Sequence, residues 1–119
     1  MGMIGTKYGI IIKNSRVPRL LSWFISIRAI TLWPYIIFRD EPDDVTINHE
    51  RIHIRQQAEL LVVLFYILYA GFWIFNKLKG QSNYSAYMNI PFEREAYENQ
   101  DDWVYLFNRK KFAWKSYIR

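Results

Sequence analysis

The chain has no cysteine among its 119 residues and only two histidines. The first absence excludes disulfide bonds and thiolate metal ligands, and it leaves the redox compartment undetermined. Acidic side chains are also scarce, because 11 stand against 16 basic ones and the formal charge is +5. No helix-turn-helix signature, aromatic RNP run or zinc-finger spacing accompanies this charge, so we do not expect a nucleic-acid partner.

The basic charge is combined with many aromatic residues, which make up 18% of the chain. This composition favours an anionic membrane surface as a partner. The tail, residues 109–119, interleaves basic and aromatic residues, a pattern that suits anionic lipid headgroups. A solvated basic helix end gives the same pattern, and the two interpretations stay open.

Both histidines lie in one His-Glu-x-x-His motif, formed by His49, Glu50 and His53. On a helix, residues four apart lie on the same face, so the two imidazoles can bind one Zn²⁺ ion per chain. Glu50 is adjacent to His49 and would lie beside the ion, where it can act as the catalytic base toward a metal-bound water. The alternative to a metal site is an ordinary exposed helix whose two histidines are solvated and bind nothing.

Three carboxylates are candidates for a third metal ligand. Glu59 lies six residues after His53, but that spacing works only if the helix breaks near Gln56, a good helix former. Glu93 would lie early on a second helix, predicted from Pro91 to about Asn108 and capped by Asn89. We therefore expect Glu93 to be the ligand, with Glu95 as the nearest rival on that helix.

The two segments that carry these residues, 49–60 and Pro91–Asn99, resemble a family of small bacterial proteins, mostly from Bacteroidetes, over roughly residues 29–112. That family lends the chain no activity. At the level of the motifs the chain is similar to gluzincin membrane metallopeptidases of the CAAX-prenyl-protease, heat-shock and BlaR sensor types. The resemblance implies zinc ligands at His49, His53 and Glu93 and a catalytic base at Glu50.

One position departs from those metallopeptidases. Tyr97 stands where they have an aspartate that orients a ligand histidine, and such partners affect metal affinity and activity. Glu95, Asp101 and Asp102 are candidate substitutes. Tyr97 itself, Tyr84 and Tyr87 are candidates for stabilising a transition state, although tyrosines more often pack against a core.

The length indicates a single domain, which we expect to be α+β, mainly helical and zincin-like. Residues 1–28 would form an N-terminal strand, at 8–13, and an interfacial segment, at 20–28; residues 29–112 would form the metallopeptidase-like core, followed by the basic tail. Residues 29–39 are rich in β-branched and aromatic side chains and predict an edge or bulged strand, because Pro34 cannot donate to a ladder. In zincins such an edge strand aligns the substrate. A strand with a purely structural role at the sheet edge explains the pattern equally well, and both interpretations stay open. Asp43 or Asp44 would cap the motif helix, and residues 76–89 would form a loop.

Residues 60–75 form an uncharged run, slightly shorter than a membrane span. A single span would put Glu93 on the other side of the membrane from His49, so we do not expect one. A re-entrant bend near Ala70 and Gly71, an interfacial helix and a helix buried in a core or dimer stay open. No signal peptide is recognised, and we expect a cytoplasmic or peripheral location.

The sequence therefore predicts a zinc-dependent metallopeptidase that cleaves a peptide or protein substrate, acting near a membrane surface. The alternative is a non-enzymatic, membrane-associated binding or regulatory module with a degenerate zincin fold. Substrate and oligomeric state are not determined by the sequence.

Overall fold

The computed structural model describes residues 2–6, 9–13, 29–38 and 41–118. A small sheet precedes a set of helices, so this part of the chain is α+β and mainly helical, as predicted. The strands are β1 (Gly2–Thr6), β2 (Gly9–Lys13), β3 (Ala29–Leu32) and β4 (Tyr35–Phe38). The helices are α1 (Asp44–Glu59), α2 (Val63–Leu78), α3 (Asn83–Met88), α4 (Pro91–Asn99), α5 (Tyr105–Asn108) and a 3₁₀ helix, Ala113–Tyr117.

The four strands form one mixed sheet in the order β1-β2-β4-β3. The central pair, β2 and β4, is parallel, and the two outer pairs are antiparallel. One face of the sheet is apolar, and Ile11, Ile36 and Phe38 pack there against Ile54 of α1. The sheet therefore supports the motif helix. Strand β2 confirms the strand predicted within residues 8–13.

The strand predicted over residues 29–39 is instead a hairpin of β3 and β4, with Trp33 and Pro34 at the turn and a cis peptide between them. Pro34 is accommodated because a turn position needs no ladder donor. Strand β3 lies at one end of the strand order, so the predicted edge position is correct for β3 and wrong for β4. The interfacial segment predicted at 20–28 lies outside the described residues.

Helix α1 begins where the sequence indicated, because Asp43 is its N-cap and Asp43 Oδ1 accepts a hydrogen bond of 2.7 Å from Thr46 N. After Glu59 the backbone turns sharply, and Leu61 and Val62 have φ of 55° and 62°. Helices α1 and α2 are bent by 112° across this break. Of the three alternatives left open for residues 60–75, the bend near Ala70 and Gly71 is not found, because both residues lie inside α2.

Helix α2 packs one face on the central core. Phe65, together with Leu68, Tyr69, Phe72 and Trp73, meets Leu60, Ile90, Phe92 and Trp114 in one cluster. Among the described helices none is by itself both long and apolar enough to cross a membrane, and only α1 and α2 combined reach that length and composition.

The second half of the chain contains more helix breaks than predicted. The predicted loop at 76–89 holds α3, which Ser82 caps by accepting a hydrogen bond from Ser85 N. The second motif helix ends at Asn99 rather than Asn108. After Asn99 the chain turns. Asp102 Oδ1 accepts a hydrogen bond from Val104 N just before α5 begins at Tyr105. Asn89 does not cap α4; its side chain accepts from Arg94 Nη2 at 2.7 Å instead.

Candidate metal centre

Helices α1 and α4 pack closely enough to bring the two motifs together. Ile52 of α1 and Ala96 of α4 are fully buried in the same cluster, with Leu106. Ala96 presents only a methyl group, which allows close approach of the two helices. Ile52 lies between the two histidines in sequence, and Ala96 lies one helical turn after Glu93. The packing contact therefore fixes both halves of the site.

His49, His53 and Glu93 converge inside the protein. His49 Nε2 lies 3.2 Å from His53 Nε2 and 3.2 Å from Glu93 Oε1, and His53 Nε2 lies 3.0 Å from the same oxygen. All three side chains are buried. In the described part of the chain, these three residues form a group whose ligand atoms are close enough together to hold one metal ion.

The spacing suits tetrahedral zinc. Two ligand atoms about 2.1 Å from one ion, at a tetrahedral angle, are about 3.4 Å apart. The observed separations of 3.0 to 3.2 Å are slightly shorter. Separations of this length are typical of hydrogen bonds, which ring protons of the histidines supply within the group. An adjustment of a few tenths of an ångström would admit the ion, and two nitrogens with one carboxylate oxygen leave a fourth position open.

Two glutamines hold the imidazoles by their other nitrogens. His53 Nδ1 lies 2.7 Å from Gln56 Oε1, and His49 Nδ1 lies 2.8 Å from Gln100 Oε1. The orientation of Gln56 is fixed independently, because its Nε2 donates to Phe92 O at 3.0 Å and to Glu95 Oε1 at 2.9 Å. Its oxygen must therefore accept from His53 Nδ1–H, which directs Nε2 toward Glu93.

Charge and burial oppose each other at this site. Burial alone lowers the pKa of His53, but the charge of Glu93 and a hydrogen bond to it prevail and raise that pKa to about 10. Burial also opposes ionisation of Glu93, yet attraction to His53 and hydrogen bonds from both histidines hold the pKa of Glu93 well below its usual range. Without metal, a proton therefore links His53 to Glu93, and an ion would displace it.

Three tyrosines, Tyr69, Tyr87 and Tyr97, lie close to the cluster. Tyr69 of α2 donates a 2.6 Å hydrogen bond to Glu93 Oε2, so both carboxylate oxygens have a partner. Tyr87 and Tyr97 share a hydrogen bond of 2.9 Å, and the ring of Tyr97 stands edge-on to His49 at 4.4 Å between centroids. Burial raises the pKa of all three phenols, so they remain protonated. Tyr84 is 71% exposed and interacts electrostatically with Tyr97.

Glu50 is held from the sheet. Thr31 Oγ1 of β3 donates to Glu50 Oε2. Glu50 is half-buried, and its charge contributes to the raised pKa values of His53, Tyr69 and Tyr97. It therefore lies close to the cluster without being one of the converging atoms.

The other two candidates for the third metal ligand, Glu59 and Glu95, both pair with Arg109 instead. Glu59 accepts from Arg109 at 2.8 and 3.1 Å and from Phe112 N at 2.8 Å. Glu95 is fully buried and accepts from Arg109, from Tyr105 Oη at 2.6 Å and from Gln56.

Glu95 therefore acts on His53 only through Gln56. Asp101 and Asp102 are exposed, and the oxygen next to His49 Nδ1 belongs to Gln100. The gluzincin-type metallopeptidases use an aspartate to orient a ligand histidine, and here Tyr97 stands in its place. The neutral side-chain amide of Gln100 orients His49 instead.

Four residues near the cluster were not among the sequence candidates: Gln56, Gln100, Tyr69 and Thr31. For two of them, Gln56 and Gln100, the sequence spacing could have indicated a place near the site. Gln56 lies three residues after His53, and Gln100 lies two helical turns after Glu93, so both share a helix face with a ligand. Tyr69 and Thr31 approach from other elements, and no local pattern indicates them.

The outer edge of β3 next to the site is already hydrogen-bonded. Gln57 Nε2 donates to Thr31 O at 2.9 Å, and Trp33 N donates to Gln57 Oε1 at 2.7 Å. Tyr66 Oη also donates to Thr31 O. Side chains therefore occupy backbone groups through which an extended peptide would pair with this strand.

Comparison with known proteins finds no matching family model, no matching curated protein and no matching solved structure.

Proposed function

We propose that the chain is a zinc-dependent metallopeptidase of gluzincin type that binds one Zn²⁺ and hydrolyses a peptide bond in a peptide or protein substrate. The observation that carries the proposal is the convergence of His49 Nε2, His53 Nε2 and Glu93 Oε1 within 3.2 Å of one another. The motif resemblance described above supports the same three ligands. A cytoplasmic or peripheral location is part of the proposal.

Each residue near the cluster has a chemical role in this proposal. Zinc, when bound, supplies a Lewis acid that polarises a carbonyl and lowers the pKa of water. Glu50, positioned by Thr31, accepts the proton of the attacking water and transfers it to the leaving amine. Tyr87 and Tyr97 keep their protons and can donate to the oxyanion that forms at the carbonyl.

The metal site is tested by analysis of zinc in the purified full-length chain after loading and desalting. We expect one ion per chain in the wild type and in Glu50→Gln, because Glu50 is not one of the converging residues. His49→Ala should lose the ion. Well below one ion per wild-type chain would contradict the proposal.

The chemistry is tested by digestion of a peptide library with the zinc-loaded chain. Glu50→Gln should retain the metal and lose turnover by about 100-fold or more, because general-base catalysis typically contributes 10²–10⁴-fold. Phe107→Leu, a change at a residue of α5 that is 81% exposed, is the matched control and should keep full activity. Equal cleavage by Glu50→Gln and wild type would exclude the assigned role.

The second candidate is a non-enzymatic, membrane-associated binding or regulatory module. The side chains on the outer edge of β3 favour it, because Gln57 and Tyr66 occupy Thr31 O. In that case the chain cleaves nothing, with or without zinc. The double variant Gln57→Ala with Tyr66→Phe, which frees the edge, then produces no cleavage either. Turnover by the wild type that Glu50→Gln removes would exclude the module.

A further inference from the structure

Helix α2 has a second apolar face that points away from the core. Its exposed positions recur every three or four residues and so form one stripe along the helix. We call this stripe the outer face of α2, and its members are Val63, Leu64, Ile67, Ala70, Gly71, Ile74, Phe75 and Leu78. None of them carries a charge. Ile67 is 62% exposed and Leu78 is 82% exposed.

The outer face is not needed for the core of the described structure. The opposite face of α2 already supplies Phe65, Leu68 and Phe72 to the central cluster. Soluble proteins rarely expose a contiguous apolar surface that covers four helical turns. Within the described residues, the outer face of α2 is therefore left without an apolar partner.

Basic residues lie at both ends of the outer face. At the carboxyl end, Lys79 Nζ lies 4.8 Å from the ring centroid of Phe75, and Lys77 Nζ lies 5.9 Å from that of Trp73. At the amino end, Phe112 N donates to Glu59, two residues before Leu61.

That hydrogen bond brings the segment with Lys110, Lys111 and Lys115 next to the start of α2, and Lys115 Nζ lies 5.0 Å from the Phe112 ring. Helix α2 itself contains no acidic residue.

We propose that the outer face of α2 binds an anionic lipid membrane, with the helix lying in the plane of the surface. An apolar stripe flanked by lysines inserts between acyl chains while the ammonium groups meet the headgroups. A second copy of the chain is a poorer partner. Antiparallel pairing of two α2 helices would bring the lysines of one end onto those of the other, and parallel pairing would bring identical ends together.

The proposal also indicates a substrate class, and this step rests on the proposed function. The inner face of α2 contacts the metal cluster, because Tyr69 Oη donates to Glu93. A helix is about 10 Å across. The cluster would thus lie about one helix diameter from the membrane, where it would reach protein segments that emerge from the lipid surface.

Flotation of the full-length chain with vesicles tests the membrane proposal. Vesicles of equal parts phosphatidylglycerol and phosphatidylcholine are compared with vesicles of phosphatidylcholine alone, with a chelator present throughout. Because the assay needs neither zinc nor activity, its failure is separate from failure of the proposed function. We expect binding to the anionic vesicles, and at least a tenfold weaker partition to the neutral ones.

The double variant Ile67→Gln with Ile74→Gln removes apolar contact at two exposed positions. We expect it to weaken partition to anionic vesicles by at least about tenfold, since each side chain loses much of its transfer free energy. Lys77→Gln with Lys79→Gln should weaken binding to anionic vesicles and leave binding to neutral ones unchanged. Phe107→Gln is the matched control, because Phe107 is 81% exposed on α5 and lies outside the outer face. It should bind as the wild type does.

Two outcomes would overturn the proposal. One is binding that the double variant leaves unchanged, which would place the lipid contact elsewhere on the chain. The other is no vesicle binding together with concentration-dependent dimerisation that the double variant abolishes, measured by sedimentation. That result would assign the outer face to a second copy.

Discussion

At the scale of single residues, two neutral amides decide which ring nitrogens face Glu93. Gln56 and Gln100 take the place that a carboxylate holds in many zinc sites. An amide oxygen fixes the tautomer as well as a carboxylate does, but it adds no negative charge to the imidazole. The neutral partner therefore orients the ligand and raises its basicity less.

Replacing Gln100 tests this role. Gln100→Ala removes the acceptor for His49 Nδ1–H, and we expect zinc affinity to fall by about tenfold because outer partners of this kind typically contribute 10- to 100-fold. Competition with a chromophoric chelator measures the affinity. The neighbouring change Asp101→Ala, at an exposed residue, should leave it unaltered. An affinity equal to that of the wild type would show that Gln100 does not orient His49.

At the scale of elements, the break between α1 and α2 directs the apolar helix across the site. Leu61 and Val62 both have positive φ, which is unfavourable for side chains other than glycine. Local hydrogen bonds stabilise the turn, among them Val62 N to Gln57 O at 2.8 Å. The 112° bend that results lets Tyr66 reach β3 and Tyr69 reach Glu93.

Glycine at position 61 should relieve part of that strain. Leu61 is 84% exposed, so Leu61→Gly loses little contact, and we expect the free energy of unfolding to rise by about 0.5–1 kcal/mol. Leu64→Gly, at an exposed position inside α2, should instead lower it by about 1 kcal/mol. Urea denaturation measures both variants. A loss of stability at position 61 would mean that the leucine side chain contributes more than the backbone conformation costs.

The elements that local patterns specify were predictable, and those set by distant contacts were not. Asp43 before the motif helix and Pro91 in the second helix marked helix starts correctly. Residues 60–75 carry no charge, so their composition gave no sign of the break at Leu61 and Val62, and this break was not predicted. Likewise, convergence of His49 and His53 follows from their spacing on one helix, whereas the bond from Tyr69 depends on how α2 crosses α4.

At the scale of the whole molecule, Arg109 ties the carboxyl-terminal segment to both motif helices. Its side chain is buried and contacts Glu59 of α1 and Glu95 of α4. Burial disfavours the charge, but hydrogen bonds to Glu95 and Glu59 outweigh it and raise the pKa of Arg109 further. The arginine therefore pairs with one carboxylate from each motif helix.

Removing this cation should destabilise the protein strongly. Arg109→Ala leaves the two carboxylates without their partner, and we expect a loss of about 3–5 kcal/mol in the free energy of unfolding. Lys110→Ala, at the exposed neighbour, should change it by less than about 0.5 kcal/mol. Urea denaturation of both variants provides the comparison. Similar values for the two variants would contradict the structural role of Arg109.

Zinc should stabilise the whole fold, because its ligands lie on helices separated by forty residues of sequence. At a free concentration of about 100 times Kd, binding to the folded state alone contributes about 2.7 kcal/mol. We expect Tm in a thermal scan to rise by about 10 °C and to return to the metal-free value with a chelator. His53→Ala should show no such rise. A wild-type Tm that does not respond to zinc would contradict binding at this centre.

The Tyr69 hydroxyl joins α2, whose outer face we propose to bind lipid, to the Glu93 carboxylate through one hydrogen bond of 2.6 Å. If α2 shifts when it binds a membrane, as proposed above, this bond would transmit the shift and rotate the Glu93 carboxylate. Isotope-edited infrared spectra of Glu93 would register that rotation as a shifted carboxylate stretch when vesicles are added. Tyr69→Phe removes this hydrogen bond, and the shift of the carboxylate stretch should disappear.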